Sequence, residues 1–564
     1  MKLFLLAVTT LVAFLPLAAR TIYVSAAAGS DGDGSKAKPF AKIQQGLDIA
    51  MPGDTVELAS GIYYERIKFP RSNVRLNGPR TAVIDGAVRF EQKWKKIPEY
   101  GPNAWHTKVP AVFFPKEIPH RGSGLVIAPD GLIIQLYEQR VGNLEKAAKE
   151  NNNIWYAPYL MTKGIGKSKM KFIKALAMYR AKHSDVIVSF GDGRDVSKAN
   201  LEFSTPLPTV VIDGADRCTV SGITIRHSRQ GILIKNSAKT LIEDCRIMRS
   251  EHGIALAEGS EKCVIRFCDI SMDTIFGCDP WQRGSWDAWK GHKLGGFWDR
   301  IAVNIANSKG GHKIHDNYLH NHWGGIQDYG DNPDLDIHHN RIDKIEDDAL
   351  EPNGTERNCR WHHNHVTDSR CAIRIKCIQT GPMYAYANVF HNNKEDCRNF
   401  KSHQYPDAVA FLYHNTGDAY AGVKSHGVKM PPGVKNFHYF NNLFFCDVIY
   451  AGTNALNWHD AGNVYVCRNP KNWQKSINEA KKHGFKSTSK FVEKQAPGIK
   501  NFAAGDVSLL SGSPAIKAGI DLSKYNLPGC EEFKSRDAGA VSFGSPMFKT
   551  FRKKSELPAS DLDF

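Results

Sequence analysis

The sequence predicts an all-β fold in which short parallel strands wind into a solenoid, and three observations predict it. An asparagine returns once per coil, in His-Asp-Asn317-Tyr-Leu, His-His-Asn340-Arg-Ile, His-His-Asn364-His-Val and Tyr-Ala-Asn388-Val-Phe, at intervals of 23, 24 and 24 residues. A period in that range, carried by short β-prone runs, marks stacked repeats. Aliphatic residues recur in register with it, at Ile232, Ile254, Val303, Ile326, Leu350 and Ile373, each opening a further strand. No helix-length spacer separates these strands, which rules out a βαβ sheet. The remaining solution is a right-handed parallel β-helix with an N-terminal cap and inserted accessory segments.

An amide at the same place in every coil can donate to one neighbour and accept from the other, so a buried bend keeps its polar groups satisfied. Cys245 and Cys268 hold the same position in two earlier coils, so a column of small buried thiols precedes the amides. Side chains alternate along a strand. The residues after the aliphatic column, Leu233, Ala255, Asn304, Gln327, Glu351 and Arg374, therefore point outward. Two positions further on the outward row is Lys235, Ala257, Ala306, Tyr329, Asn353 and Lys376.

In chain order, residues 1–19 have the form of a secretory signal: Lys2, an apolar run Leu3–Leu17, then Leu17-Ala-Ala before Arg20. Export is expected, and no later run is long enough to span a membrane. Residues 20–89 form the cap and first coils, 90–205 an inserted subdomain, 206–470 the central β-helix, and 471–564 the last coils and tail. Within the first insertion the lysine-rich run Lys163–Lys182 has helical character. A second insertion, 272–300, carries Trp281, Trp286, Trp289 and Trp298 among Arg283, Lys290, His292 and Lys293. Tryptophan faces stack on sugar rings and cations meet carboxylates or sulfates; the same residues could instead pin the loop to the helix. A third excursion, roughly 394–440, holds His403, Tyr405, Asp407, His414, His426 and Lys429 and is expected to wall a groove.

Thr21-Ile-Tyr-Val-Ser, Lys38-Pro-Phe-Ala-Lys-Ile-Gln and Pro52-Gly-Asp-Thr-Val-Glu-Leu at the start resemble the cap and first coil of the secreted right-handed β-helix family. Ser513-Pro-Ala-Ile-Lys-Ala-Gly and Arg536-Asp-Ala-Gly-Ala-Val resemble its final coils. That family contains pectate-lyase-like and chondroitinase-B-like enzymes, and the resemblance covers most of residues 21–545. It implies a carbohydrate-active enzyme; these motifs are specific for fold and poor for activity.

Lysines and arginines number 74 against 58 acids, a net charge of +16. On an exported protein this points to a polyanionic partner. No nucleic-acid motif is present, so an acidic polysaccharide, uronate-bearing or sulfated, is the expected partner of a monomeric chain; lysines that merely aid solubility are the alternative. The twelve cysteines lack the spacing of a disulfide or zinc framework.

The candidate chemistry lies on adjacent coils: Gln327-Asp328-Tyr329, Glu346-Asp347-Asp348-Ala-Leu-Glu351 and Arg374-Ile-Lys376. Stacking places Gln327, Glu351 and Arg374 at neighbouring outward positions roughly 5 Å apart, with Tyr329, Asn353 and Lys376 beside them and Asp347 and Asp348 in the preceding turn. Two chemistries fit. β-Elimination needs a neutralised uronate and a base, roles open to Lys376, Arg374 or Tyr329, with Asp347, Asp348 and Glu351 as oxygen ligands for Ca²⁺; this is what the lyase resemblance implies, and it is slightly favoured. Hydrolysis needs two carboxylates flanking the bond, from Asp347, Asp348, Glu351 and Asp328. Asp347-Asp348 and Arg374-Ile-Lys376 are reminiscent of polygalacturonase motifs, but they lie one coil apart with no Gly-His-Gly between. A non-catalytic glycan-binding protein is the third reading. Of the histidines, His338-His339 recurs as His362-His363 before the ladder residue, as repeat positions do. His322, beside Trp323, is the catalytic candidate, and His414 a more distant one.

Overall fold

The structure is a computed structural model. It describes residues 18–100, 103–113, 125–127, 133–138, 175–180, 183–190, 193–204, 206–272, 300–345, 347–400, 405, 407–419, 426–429, 436–450, 458–482, 486–493, 496–533 and 535–557. The tryptophans of the 272–300 insertion and most of the signal-like leader lie outside these residues.

The chain winds into a parallel β-helix. One wall is a sheet of 13 parallel strands among the described residues, from Thr21–Val24 to Trp458–Ala461. Its central column runs Leu76, Val220, Ile242, Ile265, Ile314, Ile337, Trp361, Ala385, Leu412 and Tyr439 in unbroken register. The other walls stack likewise, and the predicted column Ile232, Ile254, Val303, Ile326, Leu350, Ile373 is paired in that order. All six are fully buried. Every coil thus hides its own apolar face against the next, which is how a solenoid grows without a central globule.

The corner beside the first wall is the asparagine ladder. Asn317 Nδ2 donates to Asn340 Oδ1 at 3.0 Å, Asn340 to Asn364 at 3.0 Å, and Asn364 to Asn388 at 3.1 Å. The same acceptors take the backbone N–H of the preceding ladder residue. Each second amide hydrogen goes to a strand carbonyl, such as Ile314 O at 2.8 Å from Asn340. The ladder continues through Asn415, Asn442 and Asn463, ending on the Ser489 hydroxyl. Below it Cys268 N–H donates to Asn317 Oδ1, and Cys268 and Cys245 are buried free thiols.

The residue before each amide is left-handed: Asp316, His339, His363, Ala387, His414 and Asn441 have φ between 52° and 54°. Such a corner is unfavourable for side-chain-bearing residues. The ladder hydrogen bonds hold it shut, and the bend explains why a histidine precedes three of the amides, Asn340, Asn364 and Asn415.

The first insertion leaves the helix uninterrupted. Arg75–Asn77 pairs with Thr219–Ser221, so the coils on either side of it stack directly. The excursion leaves after Ala82–Asp85 and forms its own sheet, of seven strands among the described residues, with a separate core around Phe113, Val188, Phe190 and Phe203. Two expectations are corrected here. Ala175–Arg180, inside the run read as helical, is a strand, because it pairs with Asp185–Phe190 and Ile133–Glu138. Much of 394–440, read as an excursion, is ordinary coil: Glu395–Phe400, Ala410–Tyr413, Thr416–Ala419, His426–Lys429 and Phe437–Phe440 all join the stacked walls. His414 is a buried corner residue there, its imidazole pushed down to about 3 by burial.

A C-terminal strap returns along the outside. Arg552 clasps Asp316 through two side-chain bonds of 2.9 and 2.8 Å, and Phe551 N–H donates to His339 O. Phe548 meets the rings of His339 and His363 edge-on. Under it the histidines stack: His315 on His338 at 4.8 Å, His338 on His362 at 5.0 Å, and His339 on His363 at 4.9 Å. Among the described residues no helix is long and apolar enough to cross a membrane.

Candidate functional site

Strand register carries the outward row to its predicted place. Ala255 pairs with Asn304, Asn304 with Gln327 and Gln327 with Glu351, while Leu350 pairs with Ile373 so that Arg374 follows. The side chains meet as well. Gln327 Nε2 donates to Glu351 Oε1 at 3.0 Å, Asn353 Nδ2 reaches the same oxygen at 3.3 Å, and Lys376 Nζ closes on it at 2.6 Å. Asp347 accepts from Arg370 at 2.7 Å and lies 3.4 Å from Arg374. Arg374 also stands 2.6 Å from Asp348 Oδ2, and Lys376 4.0 Å from that same atom.

The row is less open than expected. Gln327 is 7%, Glu351 3% and Arg374 6% exposed, with Lys376 half-buried; Tyr329, at 58%, is the exposed member. Asp348 does not sit in the turn but opens the strand Asp348–Glu351. The reason is charge pairing. Three carboxylates face three cations, and each long cationic stem covers the acid it neutralises.

This packing drives the acids and bases apart. Burial pushes the Asp348 carboxyl well above the ordinary carboxylate range, against the pull of Arg374. Burial works the other way on Arg374 and Lys376, but Asp348 raises both, helped by Asp347 on Arg374 and by Glu351 on Lys376, so each stays cationic. The donor set does not suit a resident Ca²⁺, since Asp347, Asp348 and Glu351 already have the cations Arg370, Arg374 and Lys376 as partners.

Two candidates do not reach this face. His322 is fully buried, its Nδ1 3.1 Å from Arg300 O, and burial pushes it down to about 3. It is a neutral core residue at the coil where the chain returns from the second insertion. Asp328 follows Gln327 and so takes the opposite side of the strand. It is fully buried beside Glu356, and burial and that second carboxyl push it well above its ordinary range. Trp361 Nε1 donates to Glu356 at 3.1 Å. The acid pair is an interior fixture. Arg370 was missed; its signal is its place directly before the Cys371–Lys376 strand that carries Arg374 and Lys376. The substrate candidates Trp281, Trp286, Trp289 and Trp298 lie outside the described residues.

A family profile and one solved structure agree with the architecture. The profile of the right-handed β-helix region matches residues 182–279 and 208–420. The structure resembles XylC, solved with xylose, at a TM-score of 0.58 and 14% identity, covering 85% of this chain and 87% of that one. A pectate lyase superposes at a TM-score of 0.42 with 11% identity, over 93% of this chain and 96% of its own. A family 28 exopolygalacturonase from Yersinia enterocolitica does so at 0.36 with 12% identity, over 85% and 76%. No curated protein sequence matches this one. At these identities the likeness is one of fold: this chain is a right-handed parallel β-helix.

Proposed function

We propose that this protein is an exported carbohydrate-active enzyme that cleaves an acidic polysaccharide at the coil face around Glu351, and that it does so by hydrolysis. The observation that carries the reading is two buried carboxyl groups, Glu351 and Asp348, facing one ammonium. Lys376 Nζ lies 2.6 Å from Glu351 Oε1 and 4.0 Å from Asp348 Oδ2. The two oxygens are therefore no farther apart than about 6.6 Å, the two distances end to end. Glycoside hydrolysis uses paired carboxyl groups about 5–5.5 Å apart when it retains configuration and about 6.5–9.5 Å apart when it inverts, and this upper limit admits the retaining spacing.

In this reading Asp348 carries the proton for the leaving oxygen, and Glu351, ion-paired with Lys376, is the base or nucleophile. Gln327 and Asn353 fix its Oε1, and the exposed Tyr329 offers a ring face to a sugar. The basic net charge and the cations of this row support an acidic substrate.

Elimination is the second reading. It needs a group that takes the C5 proton, and Lys376 and Arg374 are both held cationic. The exposed phenol of Tyr329 is the feature that favours it. Incubation with uronate-bearing and sulfated polysaccharides separates the two. Hydrolysis yields reducing ends without the ultraviolet absorbance of unsaturated uronates; elimination yields both. Binding with neither product would leave a glycan-binding protein. Activity that survives Glu351→Gln would remove the site, and activity lost to a chelator would restore a metal.

A further inference from the structure

A second recess lies where the inserted sheet leaves the solenoid. It is a cavity of about 390 Å³ whose lining includes Arg89, Phe90, Gln92, Trp94, Asn200 and Glu202. That volume lies within the ~300–1,000 Å³ of small-molecule sites. Its walls are built rather than incidental. The outgoing and returning chains are clamped, with Val88 N–H donating to Phe203 O at 2.8 Å and a bridge joining Ala87 to Ser204. Phe90 and Trp94 both pack on Phe203, with ring centroids 5.3 and 6.3 Å away. Trp94 Nε1 donates to Gln92 Oε1 at 3.2 Å, and Gln92 Nε2 donates to Leu201 O at 2.6 Å, which fixes both side chains.

Two charged groups face this pocket. Glu202 Oε2 lies 3.6 Å from His227 Nδ1, a ring that Asp85 holds at 2.9 Å. Arg89 is exposed, its guanidinium 4.5 Å over the Tyr64 ring, and has no carboxylate partner among the described residues. An indole wall, an amide, a carboxylate and an uncompensated guanidinium together match one ligand class. The ring takes the apolar face of a sugar, Gln92, Asn200 and Glu202 take hydroxyls, and Arg89 takes an acidic substituent.

We propose that this cavity binds one acidic sugar unit, and that the inserted subdomain is a second glycan-binding site outside the coil face. It rests on the reading of the ligand as an acidic glycan but not on the cleavage chemistry. The test therefore uses the full chain with Glu351→Gln, in which turnover is removed and this cavity is untouched. Calorimetric titration with an oligogalacturonide, a sulfated glycosaminoglycan oligosaccharide and a neutral cello-oligosaccharide reads the site. Trp94→Ala should weaken binding of an acidic probe about tenfold. Arg89→Ala should weaken acidic probes and leave the neutral one unchanged, and because Arg89 is exposed this variant stays interpretable if Trp94→Ala misfolds. In the active chain Arg89→Ala should raise KM on long acidic polymer with kcat unchanged. Affinities equal to the parent in both variants would overturn the proposal, whether or not the parent cleaves anything. Binding lost in both, with a parent that cleaves nothing, would keep this site and remove the proposed activity.

Discussion

The amide ladder and the Glu351 cluster stand on the same coils, and both are buried and polar. They differ in how their atoms are satisfied. Asn340 makes four side-chain hydrogen bonds, two accepted from Asn317 and two donated to Ile314 and Asn364, and carries no charge. In the cluster, Asp348 has ionic neighbours but no hydrogen bond on either oxygen. A neutral network with every partner in place specifies a fold. A set of paired charges in which the Asp348 oxygens lack hydrogen bonds holds interaction capacity in reserve.

The largest effect should come from breaking the ladder. Asn364→Ala removes the acceptor of two Asn340 donors and the side-chain donor to Ile337 O, and leaves Asn388 Oδ1 with only the backbone N–H of residue 364. Leaving buried groups unsatisfied costs about 1–3 kcal/mol each, so a stability loss of about 4 kcal/mol or more is expected in denaturant unfolding, with activity falling only as folded protein is lost. Glu351→Gln inverts that pattern. The amide keeps the shape and the acceptor for Lys376 but removes a buried charge, so turnover of the folded protein should fall by about 10²–10⁴-fold, far more than the stability lost with the Lys376 pair accounts for. A Glu351→Gln protein that turns over normally, or an Asn364→Ala protein of parental stability, would collapse the distinction between the two regions.

A third effect, smaller than these, separates the ladder from the histidines beside it. Amides do not titrate, so acid should act through the imidazole columns. Burial holds His338, His339 and His362 below their ordinary pKa, with neighbouring imidazoles adding to all three and Asp336 opposing at His338 and His362. Above about pH 6.5 both folded and unfolded chains keep them neutral. Below it the unfolded chain takes up protons that the folded columns resist, so stability falls with pH by up to about 1.4 kcal/mol per unit for each histidine. Asp316 and Asp336 lie below the carboxylate range through their histidine and arginine partners, despite burial, and lose their contribution only nearer pH 4. Arg552→Ala, which leaves Asp316 buried without its clasp, should lower stability by about 2–3 kcal/mol at pH 7. Thermal unfolding from pH 8 to 5 should show the descent beginning near 6.5 in both proteins, from a lower start in the variant.

How much was legible follows from which signals are local. Asn317 to Asn388 stood out because the spacing is even; Asn415, Asn442 and Asn463 were missed because the spacing changes to 27, 27 and 21. The same widening made coils at 394–440 look like an excursion. Alternation placed Gln327, Glu351 and Arg374 in one row with Tyr329, Asn353 and Lys376 beside it, since register is a property of the strand. It could not show that Arg370, Arg374 and Lys376 would bury the acids, because that depends on rotamers and long-range pairing. His322 looked catalytic from its neighbours in sequence, yet the corner it occupies turns inward.

The smallest predicted effect decides between the two chemistries. Tyr329 stands two residues beyond Gln327 on the strand Gly324–Tyr329, at the exposed rim of the cluster. If hydrolysis runs through Asp348 and Glu351, the phenol contributes a ring face and at most one hydrogen bond to substrate. Tyr329→Phe keeps the ring, so kcat/KM should fall by no more than about fivefold, the worth of a neutral hydrogen bond of about 1 kcal/mol. If elimination is the reaction, Tyr329 is the one candidate base not held cationic, and the same change should remove about 10²-fold or more. A large loss on Tyr329→Phe, with unsaturated product in the parent, would move the chemistry from the recessed acids to the rim. A small loss would leave it with the carboxyl pair that Lys376 holds together.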